Sequence, residues 1–263
     1  MDFGDVEYWE RFYRRYLPPA KPPGEGEAAL STGADRGSGG AEQQLLEQDE
    51  WYLEASALVP RLLPCLPSLA EEGQLPAVLM LGCGSSRLSE LLYEAGYHHI
   101  TNVDFSPLVI ASMQEKTRSA CPTLQWLVAD VTHMPAIASS SFDVAIDKGT
   151  LDAIMSATEW QTSAPAMGAE VHRVLKPGGL WLLCSFGDDR AECVDEQLSE
   201  LGADADPALN RCEGRSERWH AVRERIALPA HSPEKEAGGG GALEEEEAGA
   251  WYLYAFTKLP AGE

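Results

Sequence analysis

An α/β fold built as a doubly wound, mostly parallel sheet is what this sequence predicts, on three observations. Between residues 77 and 184, short apolar runs alternate with amphipathic stretches, as crossover helices between parallel strands require. The first run, Val78 to Leu81, ends in Gly82-Cys83-Gly84, a tight turn that leaves room for close approach of a ligand. The second run, His99 to Val103, ends in an acid, Asp104, 22 positions after Gly82. A carboxylate about 20 residues beyond such a turn can accept hydrogen bonds from both hydroxyls of a ribose. Glycine also serves strand-to-helix turns for steric reasons alone, so the turn by itself leaves both readings open.

The elements follow in order. Tyr8, Trp9, Phe12, Tyr13 and Tyr16 recur at helical spacing over Val6 to Tyr16, an aromatic stripe for docking on the body of the protein. Residues 18–48 are rich in Pro and Gly without apolar periodicity and are expected to be a disordered linker. A helix is expected over 53–66, with Leu58, Leu62 and Leu63 on one face and Pro64 to Pro67 ending it. Then come strand 77–81, helix 86–95, strand 99–103, helix 107–118, strands 124–129 and 142–147, helix 166–175 and strand 179–184. Ser106-Pro107 supplies a capping hydroxyl and a proline at the first helical position. Lys176-Pro-Gly-Gly179 is a stop and turn. Trp219 to Ile226 and Trp251 to Thr257 are expected to pair antiparallel, across a Gly/Glu-rich insertion at 231–249. The expected division is a cofactor-covering helix at 1–17, the linker at 18–48, a core at 49–230, the insertion at 231–249 and a final strand and tail at 250–263.

Composition narrows the function. An apolar share of 44% over 263 residues supports one core, and no run approaches a membrane span. The first ten residues hold four acids and no base, unlike a targeting segment, so a cytoplasmic location is expected. Six cysteines form no Cys-x-x-Cys pair, which supports neither a zinc site nor a disulfide framework, and no metal is expected. A formal charge of −22 opposes direct binding of nucleic acid and suits a basic protein partner or a solubilising surface. The oligomeric state is not set by anything in the sequence.

A dinucleotide fold places a third glycine at position 87, which here is arginine, so a pyrophosphate is disfavoured and a nucleoside without phosphates is favoured. With Gly82-Cys-Gly84, Asp104, Asp130, Phe142-Asp-Val-Ala-Ile-Asp147 and Arg173-Val-Leu-Lys-Pro-Gly-Gly179 in this order, the chain resembles the class I S-adenosylmethionine-dependent methyltransferases. The resemblance covers roughly residues 75 to 185. It implies a Rossmann-like, doubly wound seven-stranded sheet, mostly parallel with a C-terminal antiparallel hairpin strand. Asp147-Lys-Gly-Thr-Leu-Asp152, Asn102-Val-Asp-Phe-Ser106 and Glu7-Tyr-Trp-Glu-Arg-Phe-Tyr13 narrow it. They resemble the group of lysine methyltransferases that act on elongation factor 1-alpha, with the citrate synthase lysine methyltransferase as a relative. Met80 stands where the wider class carries an acid, a departure shared with that group.

The resemblance implies S-adenosyl-L-methionine as cofactor and a protein lysine, best matched by elongation factor 1-alpha, as acceptor. Trp9, Tyr13 and Trp51 would close over the cofactor, and Gly82 and Gly84 would border its methionine end. Asp104 with Phe105 would hold ribose and adenine, Asp130 and Val131 would read the adenine edge, and Lys148 would lie beside the donor. Residue chemistry agrees in part, since aromatic faces attract a sulfonium cation and acids at strand ends face the ligand crevice of open α/β sheets. Simpler roles stand beside these: core packing for Trp9 and Tyr13, a solvated strand end for Lys148, a turn cap for Asp130. Methylating a lysine of pKa about 10.4 requires its uncharged form, present in roughly one molecule in a few thousand at pH 7. Asp147 and Asp152, flanking the Lys-Gly-Thr turn, are the expected catalytic carboxylates, with strand-end and helix-cap roles as the alternative. A small-molecule methyltransferase and a non-catalytic cofactor-binding partner are the competing functions.

Overall fold

The computed structural model describes residues 5–17, 50, 53–69, 75–196, 211–226 and 251–260. Trp51, the 18–48 linker and the 231–249 insertion lie outside the described residues. Among the described residues eight strands form one sheet: β1 (Ala77–Leu81), β2 (His99–Asp104), β3 (Gln125–Val128), β4 (Phe142–Lys148), β5 (Leu175–Ser185), β6 (Arg211–Arg215), β7 (Trp219–Ile226) and β8 (Trp251–Lys258). Their order is β3-β2-β1-β4-β5-β8-β7-β6. The first five strands run parallel, while β8 joins β5 antiparallel and continues antiparallel into β7 and β6. The expected seven-stranded plan is present, with β6 added as an eighth strand at the edge.

Seven helices accompany the strands among the described residues: α1 (Val6–Tyr16), α2 (Ala55–Leu62), α3 (Leu88–Glu94), α4 (Pro107–Thr117), α5 (Thr150–Met155), α6 (Trp160–Val174) and α7 (Arg190–Val194). A single 3-10 turn at Leu63–Cys65 carries Pro64 and ends the α2 segment as the prolines predicted. Alternation along β1 feeds two cores. Val78 and Met80 pack with Leu88, Leu92, Ile100, Val109 and Met113, and with Trp9, Tyr13 and Leu58. Leu79 and Leu81 face Val103, Met167, Val171, Trp181 and Phe256 on the other side. Burial on both faces explains why β1 and the second half of β5 read as unbroken apolar runs.

Three differences from the expected elements have local causes. Helix α6 begins at Trp160, six residues ahead of the expected 166, and carries Pro165 inside it, past the first turn, where the proline leaves the Gln161 carbonyl without its usual N–H partner. Strand β5 begins at Leu175 because Lys176-Pro-Gly-Gly179 is a bulged strand entrance: Leu175 pairs Phe142 and Leu180 pairs Val144, with Gly178 at φ +76°. Helix α5 was not expected. It starts directly after Gly149, at φ +84°, and its first two N–H groups are capped by Asp147.

Among the described residues no helix is long and apolar enough to cross a membrane.

Candidate active site

Strand order reverses direction at β1, which lies between β2 and β4, and crevices at such switch points hold ligands in open α/β sheets. The C-terminal ends of β1, β2 and β4 border a cavity of about 470 Å³ here. Helix α1 roofs it. Trp9 and Tyr13 are buried, line the cavity and stack with ring centroids 5.8 Å apart and planes inclined at 29°. Core packing and a ligand-facing position therefore coincide in the same two side chains. Asp5 caps α1 by accepting from the Glu7 N–H at 2.9 Å, and Glu10 fastens the helix to the body by accepting from Ser106 Oγ at 2.6 Å. Ser106 in turn caps α4, accepting from the Val109 N–H.

The floor is the glycine turn and its acid. Gly82 and Gly84 have φ of +56° and +51°, conformations that disfavour any side chain. A Cβ on Gly82 would come within 2.2 Å of Thr150 Oγ1, and one on Gly84 within 3.1 Å of the Tyr13 hydroxyl. Gly82 thus admits Thr150, whose hydroxyl donates to the Leu81 carbonyl at 2.9 Å, while Gly84 admits the roof. Asp104 is buried, with Oδ2 accepting from the Gly84 N–H and Oδ1 from the Ser106 N–H, each at 2.9 Å. Burial raises its pKa to about 6, with Glu10 adding to the rise and the two N–H donors opposing it. Burial, then the charges of Asp104, Cys83 and Glu10, hold the Tyr13 phenol well above its ordinary range, so it is a neutral donor at pH 7.

Phe105, Asp130, Val131 and Lys148 complete the predicted set around the same cavity. Asp130 also serves as a turn cap, its Oδ1 accepting from both the N–H and the hydroxyl of Thr132 at 2.8 Å. Lys148 is not a solvated strand end: its side chain is 6% exposed and its Nζ lies 2.9 Å from Glu50 Oε2. All the cofactor candidates within the described residues, nine of them, therefore meet at one cavity.

Asp147 and Asp152 do not line it. Asp147 is fully buried, its oxygens accepting from the Thr150 N–H at 2.7 Å and the Leu151 N–H at 3.0 Å. Burial raises its pKa to about 7 against those donors. Asp152 Oδ1 accepts from Ser185 Oγ and Arg190 Nε, both at 2.6 Å. The expected acid-base pair is thus engaged in holding a helix start and a neighbouring strand end, the alternative weighed from the sequence.

Sequence reasoning missed Glu10, Glu50 and Thr150, whose partners are remote in the chain. It also missed the second end of the cavity, where Ala153, Ile154, Ala157, Glu159 and Ser163 form the wall. A stacked aromatic roof, a ribose-competent carboxylate and a strand-end ion pair fit a cationic nucleoside. A phosphate fits poorly, because the Arg87 N–H at the turn exit is already accepted by Glu50. Among the described residues no group of three or more His, Cys, Asp or Glu side chains converges as a metal site.

Comparison with known proteins agrees with this geometry. Residues 78–179 match the family model of a methyltransferase domain. The chain is 34% identical over 190 residues to the eEF1A lysine and N-terminal methyltransferase of Bos taurus, covering 70% of this chain and 22% of that one. It is 38% identical over 124 residues to the EEF1A lysine methyltransferase 4 of Mus musculus, covering 44% of this chain and 47% of that one. The chain thus spans only part of the length of the curated relatives it matches. Among solved structures, the PH0226 protein from Pyrococcus horikoshii aligns at a TM-score of 0.51 and 17% identity, over 81% of this chain and 93% of that one, a likeness of fold. Fold, glycine turn and family match coincide over residues 78–179: this part of the chain matches a methyltransferase domain on a Rossmann-like sheet, and in sequence the chain is similar to the eEF1A lysine methyltransferases.

Proposed function

We propose that this chain is an S-adenosyl-L-methionine-dependent methyltransferase that modifies a lysine side chain of a protein, with elongation factor 1-alpha as the acceptor and the cytoplasm as its place of action. The observation that carries the reading is the corner made by Asp104, Gly84 and Tyr13 beneath Trp9, in a chain 33–34% identical to mammalian eEF1A methyltransferases. When bound, S-adenosyl-L-methionine supplies a methyl group on a positively charged sulfur, open to in-line attack by an amine.

The chain's own residues then position and desolvate. Of the cavity's lining, Asp104 would hold the ribose hydroxyls, Phe105 and Val131 would pack on the base, and Asp130 would accept from its edge. Trp9 and Tyr13 present aromatic faces to the cation. Ala153, Ile154 and Ala157 make an apolar wall along which an acceptor lysine loses water, and burial beside a positive charge favours its neutral form. Asp147 and Asp152 serve as positioning groups. By capping α5, Asp147 fixes the 148–150 turn that borders the cavity, and Asp152 ties that helix to Ser185 and Arg190. Catalysis on this account is orientation and exclusion of water rather than proton transfer by a dedicated base.

Label transfer tests it. Full-length wild type and Asp104→Ala are incubated with eEF1A and methyl-labelled S-adenosylmethionine, and the labelled peptide is sequenced by mass spectrometry. The expected result is methyl-lysine in the wild-type reaction only. Label on an α-amine instead of a lysine would change the acceptor group, label confined to small molecules would make this a small-molecule methyltransferase, and cofactor binding without transfer would make it a non-catalytic binder.

A further inference from the structure

Glu50 reaches the site from outside every motif. Its carboxylate is 7% exposed and holds three groups together. The Ser86 hydroxyl lies 3.0 Å from Oε1 and 2.9 Å from Oε2, the Arg87 N–H donates to Oε1 at 2.8 Å, and Lys148 Nζ sits 2.9 Å from Oε2. Ser86 and Lys148 both line the cavity, from two different segments, one at the exit of the glycine turn and one at the end of β4. A single buried carboxylate therefore joins two segments of the lining.

We infer that Glu50 is a positioning and charge-balancing residue of the cofactor site: it fixes the turn after Gly84 and cancels the charge of Lys148, so that the wall offers no net positive charge to a cationic cofactor. The inference rests on the proposed use of S-adenosylmethionine. A lysine ammonium with its side chain 6% exposed keeps a strong field, since little water screens it. Without Glu50 that field would oppose a sulfonium in the same cavity, whereas a neutral thioether would be indifferent to it. The same carboxylate occupies the Arg87 N–H, closing the corner to a competing phosphate group.

This charge argument separates Glu50 from a purely structural clamp, because the donor and product forms of the cofactor differ at sulfur. S-adenosylmethionine carries the cation and S-adenosylhomocysteine does not. Calorimetric titration of both into full-length wild type, Glu50→Gln, Lys148→Met and the double variant reads the ratio of their affinities. Glu50→Gln is expected to shift that ratio against S-adenosylmethionine by about tenfold or more, the scale of one poorly screened charge. Adding Lys148→Met to it should return the ratio to within about threefold of wild type, by the logic of a double-mutant cycle. Lys148→Met alone, which leaves the carboxylate in excess, should shift the ratio toward S-adenosylmethionine, and this variant carries the test if Glu50→Gln does not fold. Equal loss of both ligands in Glu50→Gln, with no recovery in the double variant, would overturn the charge role and leave a clamp. Failure of the wild type to bind either ligand would remove the cofactor assignment itself and this role with it.

Discussion

At the scale of single residues, Asp104 sets how the site responds to pH. Its carboxylate must be ionised to accept from two hydroxyls while both oxygens already accept from backbone N–H groups, yet burial raises its pKa to about 6. Cofactor affinity should therefore weaken as the pH falls through 6. With the competent form present at about one quarter at pH 5.5 and nearly fully at pH 7.5, the loss is about fourfold. Titration of S-adenosylhomocysteine at the two pH values checks this, with Asp104→Asn as the control whose weaker binding should lose the dependence. Affinity that stays constant across the range in wild type would place the ionisation elsewhere. Asp104 was legible in the sequence because its signal is local: a strand, an acid and a glycine turn at a fixed spacing. Glu50 and Thr150 were not, since their partners lie 36 and 69 positions away. Asp147 and Asp152 show the opposite difficulty. Their chemistry is visible in the sequence, but the direction of a side chain at a strand end is decided by the helix that starts beside it.

At the scale of elements, the contact between the β1 turn and α5 is the joint on which the site is built. Gly82 at φ +56° lets Thr150 reach the Leu81 carbonyl, and a Cβ there would meet Thr150 Oγ1 at 2.2 Å. Gly82→Ala should cost about 2–4 kcal/mol, of which roughly 1–2 is backbone strain and the rest collision. The two parts can be told apart in urea unfolding of Gly82→Ala, Thr150→Ala and the pair. The collision is relieved in the double variant, so its cost should fall short of the sum of the single costs by about 1 kcal/mol or more, while strict additivity would show that the two residues do not press on each other. Helix α5 itself was illegible because six residues are under two helical turns, too few for a helical repeat to show, and the same holds for α7 at five, while β6 offers no apolar run to read. Strands β1 and β4 and helix α1 were legible because each commits apolar residues to the core along most of its length.

For the whole molecule, two buried carboxyls and a half-buried imidazole pull stability in opposite directions as the pH changes. Burial raises Asp104 to about 6 and Asp147 to about 7, so each contributes stability that is complete below the unfolded carboxyl pKa and is lost as the pH rises through those values. His172, lowered to about 4 first by burial and then by Lys258 and Arg218, acts the other way: its neutral form is favoured in the fold, and that contribution is lost as the pH falls from about 6.5 to 4. Between pH 4 and 6 the two carboxyls outnumber the imidazole by one proton, and above 6.5 Asp147 acts alone. The net slope is therefore shallow, and a single melting curve would hide it. Comparison with Asp147→Asn exposes it, because every other titration cancels in the difference. The amide of that variant cannot ionise, so wild type should lose ground to it as the pH rises from 5 to 8, by about 1–3 kcal/mol in urea unfolding. The variant also loses one of the two caps on α5, which offsets the curves by a constant and leaves the change with pH untouched. A difference that does not move with pH would mean that Asp147 ionises in the fold as it does in the unfolded chain, and that its two N–H donors fully offset its burial.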